Sequence, residues 1–192
     1  QNGANGIVCN NDIATVLLPQ RNNLWPGAAM GGWYNWGWNN YGFVSSPAFG
    51  NNTVGAVTQL GYPVAWDNGF QKQRNDSFGK YITTTNTVTS QLLENTQLGS
   101  PLSGGSSGGP WLVNFGTYPV ATNSDATYGS AAQRNTVIGT TSWGYTNPAL
   151  NVQGASHFGQ NVEFPNAAYG GYGAGNIGAL MQSTCTTYPA YC

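Results

Sequence analysis

Two adjacent serines, Ser106 and Ser107, lie within the glycine-rich stretch 104–110 (GGSSGGP), which leads into the apolar run 111–113. A serine hydroxyl becomes a useful nucleophile where a tight bend exposes it and backbone N–H groups face the oxygen that gains negative charge. Glycines permit such a bend because they adopt backbone angles that other residues resist. We therefore predict that Ser107 is a nucleophile and that the amides of Gly105 and Ser107 form an oxyanion hole. The alternative is a flexible Gly/Ser-rich loop without chemistry.

A second motif follows downstream, at residues 137–144 (VIGTTSWG). The ordered pair GGSSGGPWLV and VIGTTSWGY resembles the second half of a chymotrypsin-like serine protease, in its secreted bacterial-type form. The resemblance implies that the first motif carries the nucleophile. It also implies that Ser142, Trp143 and Gly144 bind the substrate backbone as an added strand.

An aspartate near the start of the chain fits the same resemblance. Asp12 stands in the segment Asn-Asn-Asp-Ile-Ala, within a run of Val, Ile and Thr that is entered from an Asn-rich turn and predicts a strand over residues 9–18. In the chymotrypsin-like family a similar segment supplies the carboxylate of the catalytic triad. The resemblance therefore implies that Asp12 orients a catalytic histidine, and the alternative is an ordinary turn residue.

The general base is missing from its expected place. The sole histidine of the chain, His157, follows the serine, whereas the family order is histidine, aspartate, serine. We therefore expect His157 to line the substrate pocket or to be a structural histidine. By the same resemblance, the catalytic histidine is expected on a separate N-terminal piece of the same precursor, and the chain is expected to be its large C-terminal part. Cys9, close to Asp12, is placed to tether that piece.

The resemblance also locates the primary specificity pocket. Its base would be formed by Pro101 and Leu102, where trypsin-like members have an acidic residue. This departure predicts a pocket for uncharged side chains, although Thr141 and His157 leave an acidic preference open.

Composition restricts the function classes. The 192 residues include 6% charged residues with a formal net charge of −1, which argues against a nucleic-acid-binding face. The 13% aromatic content argues against disorder, and no apolar run approaches the length of a membrane span. With one histidine and no cluster of ligand-spaced Cys and His, neither a metal site nor a cofactor is expected. The few lysines, the N-terminal Gln1 and the odd cysteine number predict a processed, secreted chain. Cys185 and Cys192 are expected to pair with each other, and Cys9 to pair outside the chain or stay free.

The pattern of short strands and turns predicts an all-β protein with a short C-terminal helix near residues 175–182. The resemblance specifies a chymotrypsin-like double β-barrel whose first barrel is only partly present. It implies a remnant of the N-terminal barrel at 1–30, an aromatic-rich connector at 31–50, and the C-terminal barrel with helix and Cys tail at 51–192. The predicted function is a secreted serine endopeptidase acting on peptides or proteins.

Two alternatives stay open. One is a catalytically silent binding or structural protein on the protease fold. The other is an aromatic-rich carbohydrate-binding β-domain, which requires the rings of Trp33, Trp36 and Trp38 to form an exposed, coplanar platform.

Overall fold

The structure is a computed structural model that describes residues 2–3, 7–8, 11–85, 92–119, 132–145, 147 and 149–192. Cys9 lies outside the described residues, so the expectation about its partner stays a prediction. The described strands are β1 (Asn2–Gly3), β2 (Ile7–Val8), β3 (Asn35–Trp36), β4 (Val44–Ser46), β5 (Asn52–Gly61), β6 (Gln73–Thr85), β7 (Leu92–Gly99), β8 (Pro110–Val113), β9 (Thr136–Gly144) and β10 (Val152–His157). The α-helices are α1 (Pro26–Ala29), α2 (Val64–Asp67) and α3 (Gly175–Thr187), and short 3₁₀ turns span Pro47–Phe49 and Pro189–Tyr191.

Six of these strands close into an antiparallel barrel. Neighbouring strands pair in the order β10, β7, β6, β5, β8 and β9, and β9 pairs back onto β10. Closure leaves no open edge along most of the sheet, which removes a common route to aggregation. The predicted fold class is confirmed: the chain is mostly β, with a closed barrel consistent with a chymotrypsin-like one and a C-terminal helix.

The barrel interior is filled by large apolar side chains, and most residues of β5, β8 and β10 are buried. The central cluster consists of Tyr41, Phe43, Val57, Leu98, Trp111, Val113, Ile138 and Ala155. Tyr41 and Phe43 come from the segment before β4, so the part of the chain that precedes the barrel helps to fill it.

Residues 11–20 run extended along the barrel but pair with no strand among the residues that the structure describes. Their side chains alternate between partly buried and exposed, as in a strand with one buried face. The structure assigns no strand to residues 11–18, so the strand predicted over 9–18 is wrong for the described part of that run. β-Propensity measures how well side chains fit a paired, half-buried sheet, and here no partner strand lies beside the segment among the described residues.

The C-terminal helix α3 is longer than the predicted 175–182, because it continues to Thr187. A disulfide joins Cys185 in its last turns to Cys192, with the two Cα atoms 5.6 Å apart, so the predicted pairing is confirmed. This bond fixes the tail against the helix. In the described part of the chain, no helix has the length and apolar character needed to cross a membrane.

Candidate active site

The loop between β7 and β8 presents Ser107 at the surface. Gly105 and Gly108 have positive φ angles of 95° and 78°, which turn the backbone sharply on both sides of the serine pair. The loop is held by hydrogen bonds from the Ser106 amide to the Ser103 carbonyl (3.2 Å) and from the Gly108 amide to the Thr141 carbonyl of β9 (2.9 Å). The glycine-rich sequence thus forms an ordered turn that is held by backbone hydrogen bonds.

The two serines of this loop differ in exposure. The Ser107 side chain is exposed, whereas Ser106 is 1% exposed. The Ser106 hydroxyl packs against Gly61 and has no hydrogen-bond partner among the described residues. Of the pair, Ser107 is therefore the hydroxyl that a substrate can reach.

The amides predicted to form the oxyanion hole are unused within the protein. Among the described residues, the amides of Gly105 and Ser107 donate no hydrogen bond, whereas those of Ser106, Gly108 and Gly109 each donate one. The segment around α2 supports the loop from its other side, because the Val64 amide donates to the Gly104 carbonyl (2.9 Å). Two neighbouring free N–H donors beside an exposed hydroxyl are the arrangement that stabilises a developing oxyanion.

Strand β9 borders this loop with a free edge. Its ladder with β8 ends at Thr140, whereas its ladder with β10 continues to Gly144. Residues 142–144 therefore offer one unpaired side, within the described chain, to a peptide in extended conformation. The ring of Trp143 lies over Gly154, where an added Cβ would come within 1.9 Å of it. This packing fixes the indole at the cleft wall.

Asp12 reaches the same strand from the N-terminal segment. The Ser142 hydroxyl donates to Asp12 Oδ2 (2.8 Å), and the Asp12 amide donates to Ser156 Oγ of β10 (2.9 Å). Oδ1 has no protein partner among the described residues, so one carboxylate oxygen is available to a further donor. Sequence reasoning proposed Asp12 and Ser142 separately, and the structure brings them into contact.

A second set of polar side chains, not anticipated from the sequence, holds Asn11 next to Asp12. Asn11 Nδ2 donates to Glu163 Oε2 (2.6 Å), and Asn11 Oδ1 accepts from Asn161 Nδ2 (2.7 Å) and Asn176 Nδ2 (3.3 Å). Asn176 belongs to the first turn of α3 and is almost fully buried. The position of Asp12 is therefore fixed both by the barrel and by the C-terminal helix. No local signal marks Asn11, because its partners are distant in sequence.

His157 is buried and does not line the pocket beside Ser107. It is 2% exposed and packs against the rings of Phe43 and Tyr81. Its Nε2–H donates to the Asn39 carbonyl, and its Nδ1 accepts from the Thr96 hydroxyl (2.8 Å). Burial lowers the pKa of His157 from 6.5 to about 4, an effect that the Asn39 carbonyl partly offsets. His157 is therefore a structural histidine, which is one of the two roles predicted for it from the sequence. The other predicted role, in the substrate pocket, is not supported.

The predicted substrate-binding residues other than His157 line one cleft beside Ser107, of about 470 Å³. We call it the Ser107 cleft. Its lining comprises Ser100, Pro101, Leu102, Ser103, Gly104, Ser107, Thr141, Ser142, Trp143, Gly144, Tyr145, Asn147, Leu150, Asn151, Val152 and Gln153. Stretches 100–108 and 141–153 contain no Asp, Glu, Lys or Arg, so these cleft walls are uncharged.

Two further predictions from the sequence concern carbohydrate binding and metal binding. Only Trp33 of the three tryptophans is strongly exposed, at 81%, whereas Trp36 and Trp38 are partly buried. Trp38 packs against Gly173, so the three rings do not form an exposed platform. Within the described residues, no three His, Cys, Asp or Glu side chains are grouped as metal ligands would be.

Comparisons with known proteins give one weak similarity. No family model matches the sequence, and no curated protein matches it. Among solved structures, the chain is similar to the crystal structure of the thermostable serine protease AL20 from an extremophilic microorganism, with 25% identity and a TM-score of 0.32. The alignment covers 54% of this chain and 38% of that protease, which is less than two thirds of its length. This distant structural neighbour is a serine protease.

Proposed function

We propose that the protein is a secreted serine endopeptidase that cleaves peptides through a Ser107 acyl-enzyme. One observation carries the proposal: the exposed Ser107 shares its cleft with Ser142, whose hydroxyl donates to the Asp12 carboxylate. This contact supports a site shared by a serine nucleophile and an orienting carboxylate, and the free amides of Gly105 and Ser107 support an oxyanion hole there. Secretion is supported by the disulfide at the C-terminus.

The proposed reaction follows acyl transfer by serine, which needs no cofactor. Ser107 Oγ attacks the scissile carbonyl while an imidazole takes its proton, and the carbonyl oxygen becomes negative between the amides of Gly105 and Ser107. The imidazolium then protonates the leaving amine, and the amine departs. Water repeats these steps to release the acid and to regenerate the hydroxyl. Asp12 holds the imidazole in the required tautomer through its free oxygen.

The imidazole is proposed to come from a separate N-terminal piece of the same precursor. His157 cannot serve, because Thr96 and Asn39 occupy both of its ring nitrogens. The outward side of the extended segment 11–20 offers a surface for such a partner, since Val16 is 79% exposed and Leu18 is 53% exposed. An added strand there would cover these apolar side chains and supply the missing ladder.

Labelling of the secreted enzyme, purified with its histidine-bearing part, tests the proposal. A fluorophosphonate probe should modify Ser107 and abolish peptide hydrolysis. Ser107→Ala should remove both the label and the activity. Hydrolysis that persists in Ser107→Ala would contradict the proposed function.

The alternative is a catalytically silent binding or structural protein on the same fold. One observation favours it: both ring nitrogens of His157 are hydrogen-bonded, so no histidine of this chain is available to Ser107. Intact-mass analysis of the purified protein separates the two. A copurifying histidine-bearing polypeptide supports the enzyme, whereas a single 192-residue chain that resists the probe supports the silent protein.

A further inference from the structure

The turn between β4 and β5 carries an acceptor sequence for N-linked glycosylation. This modification requires the tripeptide Asn-X-Ser/Thr, in which X is any residue except proline. Two tripeptides of the chain fit the pattern: residues 51–53 (NNT), which begin in this turn, and residues 75–77 (NDS) in β6. The pattern alone marks a potential site, so the surroundings of the two asparagines decide between them.

Asn51 is presented at the surface by a hydrogen-bonded turn. The Gly50 amide donates to the Pro47 carbonyl (3.1 Å). The Asn51 amide donates to the Ser46 carbonyl (2.9 Å), and its own carbonyl accepts from the Ser45 hydroxyl (3.2 Å). The side chain of Asn51, in contrast, is exposed and makes no hydrogen bond to another described residue. Its amide nitrogen can therefore be modified without loss of a contact in the described chain.

An exposed aromatic pair belongs to the same turn and the neighbouring strand. Phe49 precedes Asn51 by two residues and is 40% exposed, and Phe78 of β6 is 60% exposed. The two rings pack against each other with their centroids 4.8 Å apart. One face of a pyranose ring consists mainly of C–H groups, so a sugar placed over an aromatic ring removes apolar surface from water. Since only Gly50 separates Phe49 from Asn51, the first sugar on Asn51 can reach the Phe49 ring.

Asn75 has neither property. It is half-buried in β6, and its Nδ2 donates to the Gly99 carbonyl at the end of β7 (2.9 Å). A sugar on this nitrogen would crowd the strand end that the nitrogen contacts. Two residues before Asn75 stands Gln73, which offers no aromatic ring. Asn51 is therefore the better acceptor of the two.

Asn51 is also remote from the Ser107 cleft. It immediately precedes β5, whose last residue, Gly61, packs against Ser106 of the serine loop. A strand of 10 residues spans about 33 Å. A glycan on Asn51 would therefore project from the other end of β5 and leave the cleft open.

We propose that Asn51 is a site of N-linked glycosylation and that its first N-acetylglucosamine packs on the exposed ring of Phe49. In the transfer, Asn51 Nδ2 bonds to C1 of the N-acetylglucosamine of a lipid diphosphate oligosaccharide. The bond from C1 to the diphosphate oxygen breaks, the diphosphate leaves with the electron pair, and a base of the transferase takes one amide proton. The inference uses the proposed secretion, which brings the chain to such a transferase, and is independent of the proposed hydrolysis.

Site-resolved mass spectrometry tests the site on the protein that a eukaryotic host secretes from the full precursor. Peptide N-glycosidase in heavy-oxygen water converts each glycosylated asparagine into a labelled aspartate. We expect this label on Asn51 in most molecules and on Asn75 in few. Thr53→Ala, which destroys the acceptor tripeptide, should abolish the label on Asn51, whereas Thr53→Ser should keep it. Ser77→Ala, which destroys the other tripeptide, is the matched control and should leave Asn51 labelled.

Thermal melting tests the contact with Phe49. An endoglycosidase that leaves one N-acetylglucosamine on Asn51 is compared with the N-glycosidase, which leaves aspartate. Aspartate also tolerates the left-handed backbone at this position (φ +60°). The single sugar should raise Tm by about 3 °C, and Phe49→Ala should remove most of this difference. Phe70→Ala, at an exposed phenylalanine outside the turn, is the matched control and should keep it.

Each outcome decides one claim. An unlabelled Asn51, or a label on Asn75 equal to or above that on Asn51, overturns the inference and leaves the proposed hydrolysis standing. An unchanged Tm difference in Phe49→Ala removes the role of Phe49, and if that variant does not fold, the labelling still decides the site. A protein that is glycosylated on Asn51 but takes no fluorophosphonate on Ser107 contradicts the proposed hydrolysis and supports this inference.

Discussion

At the scale of single residues, the serine loop is the part that sequence reasoning predicts best. The glycines around Ser106 and Ser107 are local signals for a bend, and the structure contains that bend with positive φ at Gly105 and Gly108. Local pattern cannot predict that the Ser106 hydroxyl is enclosed against Gly61, because that contact joins the loop to a distant strand.

Single alanine substitutions of the two serines test the difference in exposure between them. Ser107→Ala should abolish labelling by a fluorophosphonate. Ser106→Ala should keep it and leave stability unchanged or slightly higher, because a buried hydroxyl without a partner is removed. Peptide mapping of the labelled protein and a thermal melt make the comparison, and a label on Ser106 would contradict it.

His157 predicts how stability depends on pH. Its pKa is about 4 in the folded protein and 6.5 when unfolded, so above pH 6.5 it is neutral in both states. Between pH 6.5 and 4 only the unfolded chain binds the proton, and the unfolding free energy should fall by roughly 1 kcal/mol per pH unit. Urea unfolding across this window measures the slope. His157→Gln should show a shallower slope, and an identical slope in the variant would contradict the prediction.

At the scale of elements, the sequence predicted the position of some strands and of the C-terminal helix, but neither all of their bounds nor the pairing of the strands. Residues 54–60 and 137–143 contain several residues of types that favour strands, and the structure has β5 and β9 there. The contact of Ser142 with Asp12 depends on which elements become neighbours, so no local pattern predicts it.

The turn at Gly105 depends on the absence of a side chain. Gly105 has φ +95°, and an added Cβ would come within 2.5 Å of the Tyr62 carbonyl oxygen. Gly105→Ala should displace one of the two proposed oxyanion donors and lower kcat by about 100-fold or more. Gly104→Ala is the matched control, since an added Cβ there meets nothing within 4 Å. Equal activity of the two variants would exclude this role.

The Asn11 contacts predict an effect that acts through Asp12. Asn11→Ala loses the bonds to Glu163, Asn161 and Asn176 and should lower kcat between tenfold and 100-fold, because small displacements of catalytic groups are costly. In a protein that already carries Asp12→Asn, Asn11→Ala should lower kcat little further, since the two residues act as a unit. Asn52→Ala, which loses a bond to the Phe49 carbonyl, is the control. Equal losses in both backgrounds would show that Asn11 acts independently of Asp12.

At the scale of the whole molecule, the described chain has one closed six-stranded barrel and an extended segment that carries Asp12 with no strand beside it. The division at residues 30 and 50, the secreted location and the attachment of a second polypeptide through Cys9 stay predictions. They are consistent with one another, because a histidine-bearing partner would both pair with segment 11–20 and complete the catalytic set.

The most direct measurement is the rate of peptide hydrolysis by the 192-residue chain, first alone and then with the histidine-bearing polypeptide. Alone, with its mass verified, the chain should retain only the residual rate that oxyanion stabilisation provides, since loss of the histidine costs about a million-fold in a related mechanism. The partner should restore full activity, and Asp12→Asn in the complex should lower turnover by about four orders of magnitude, as in a related protease. Full activity of the chain alone, or unchanged turnover in Asp12→Asn, would contradict the proposal.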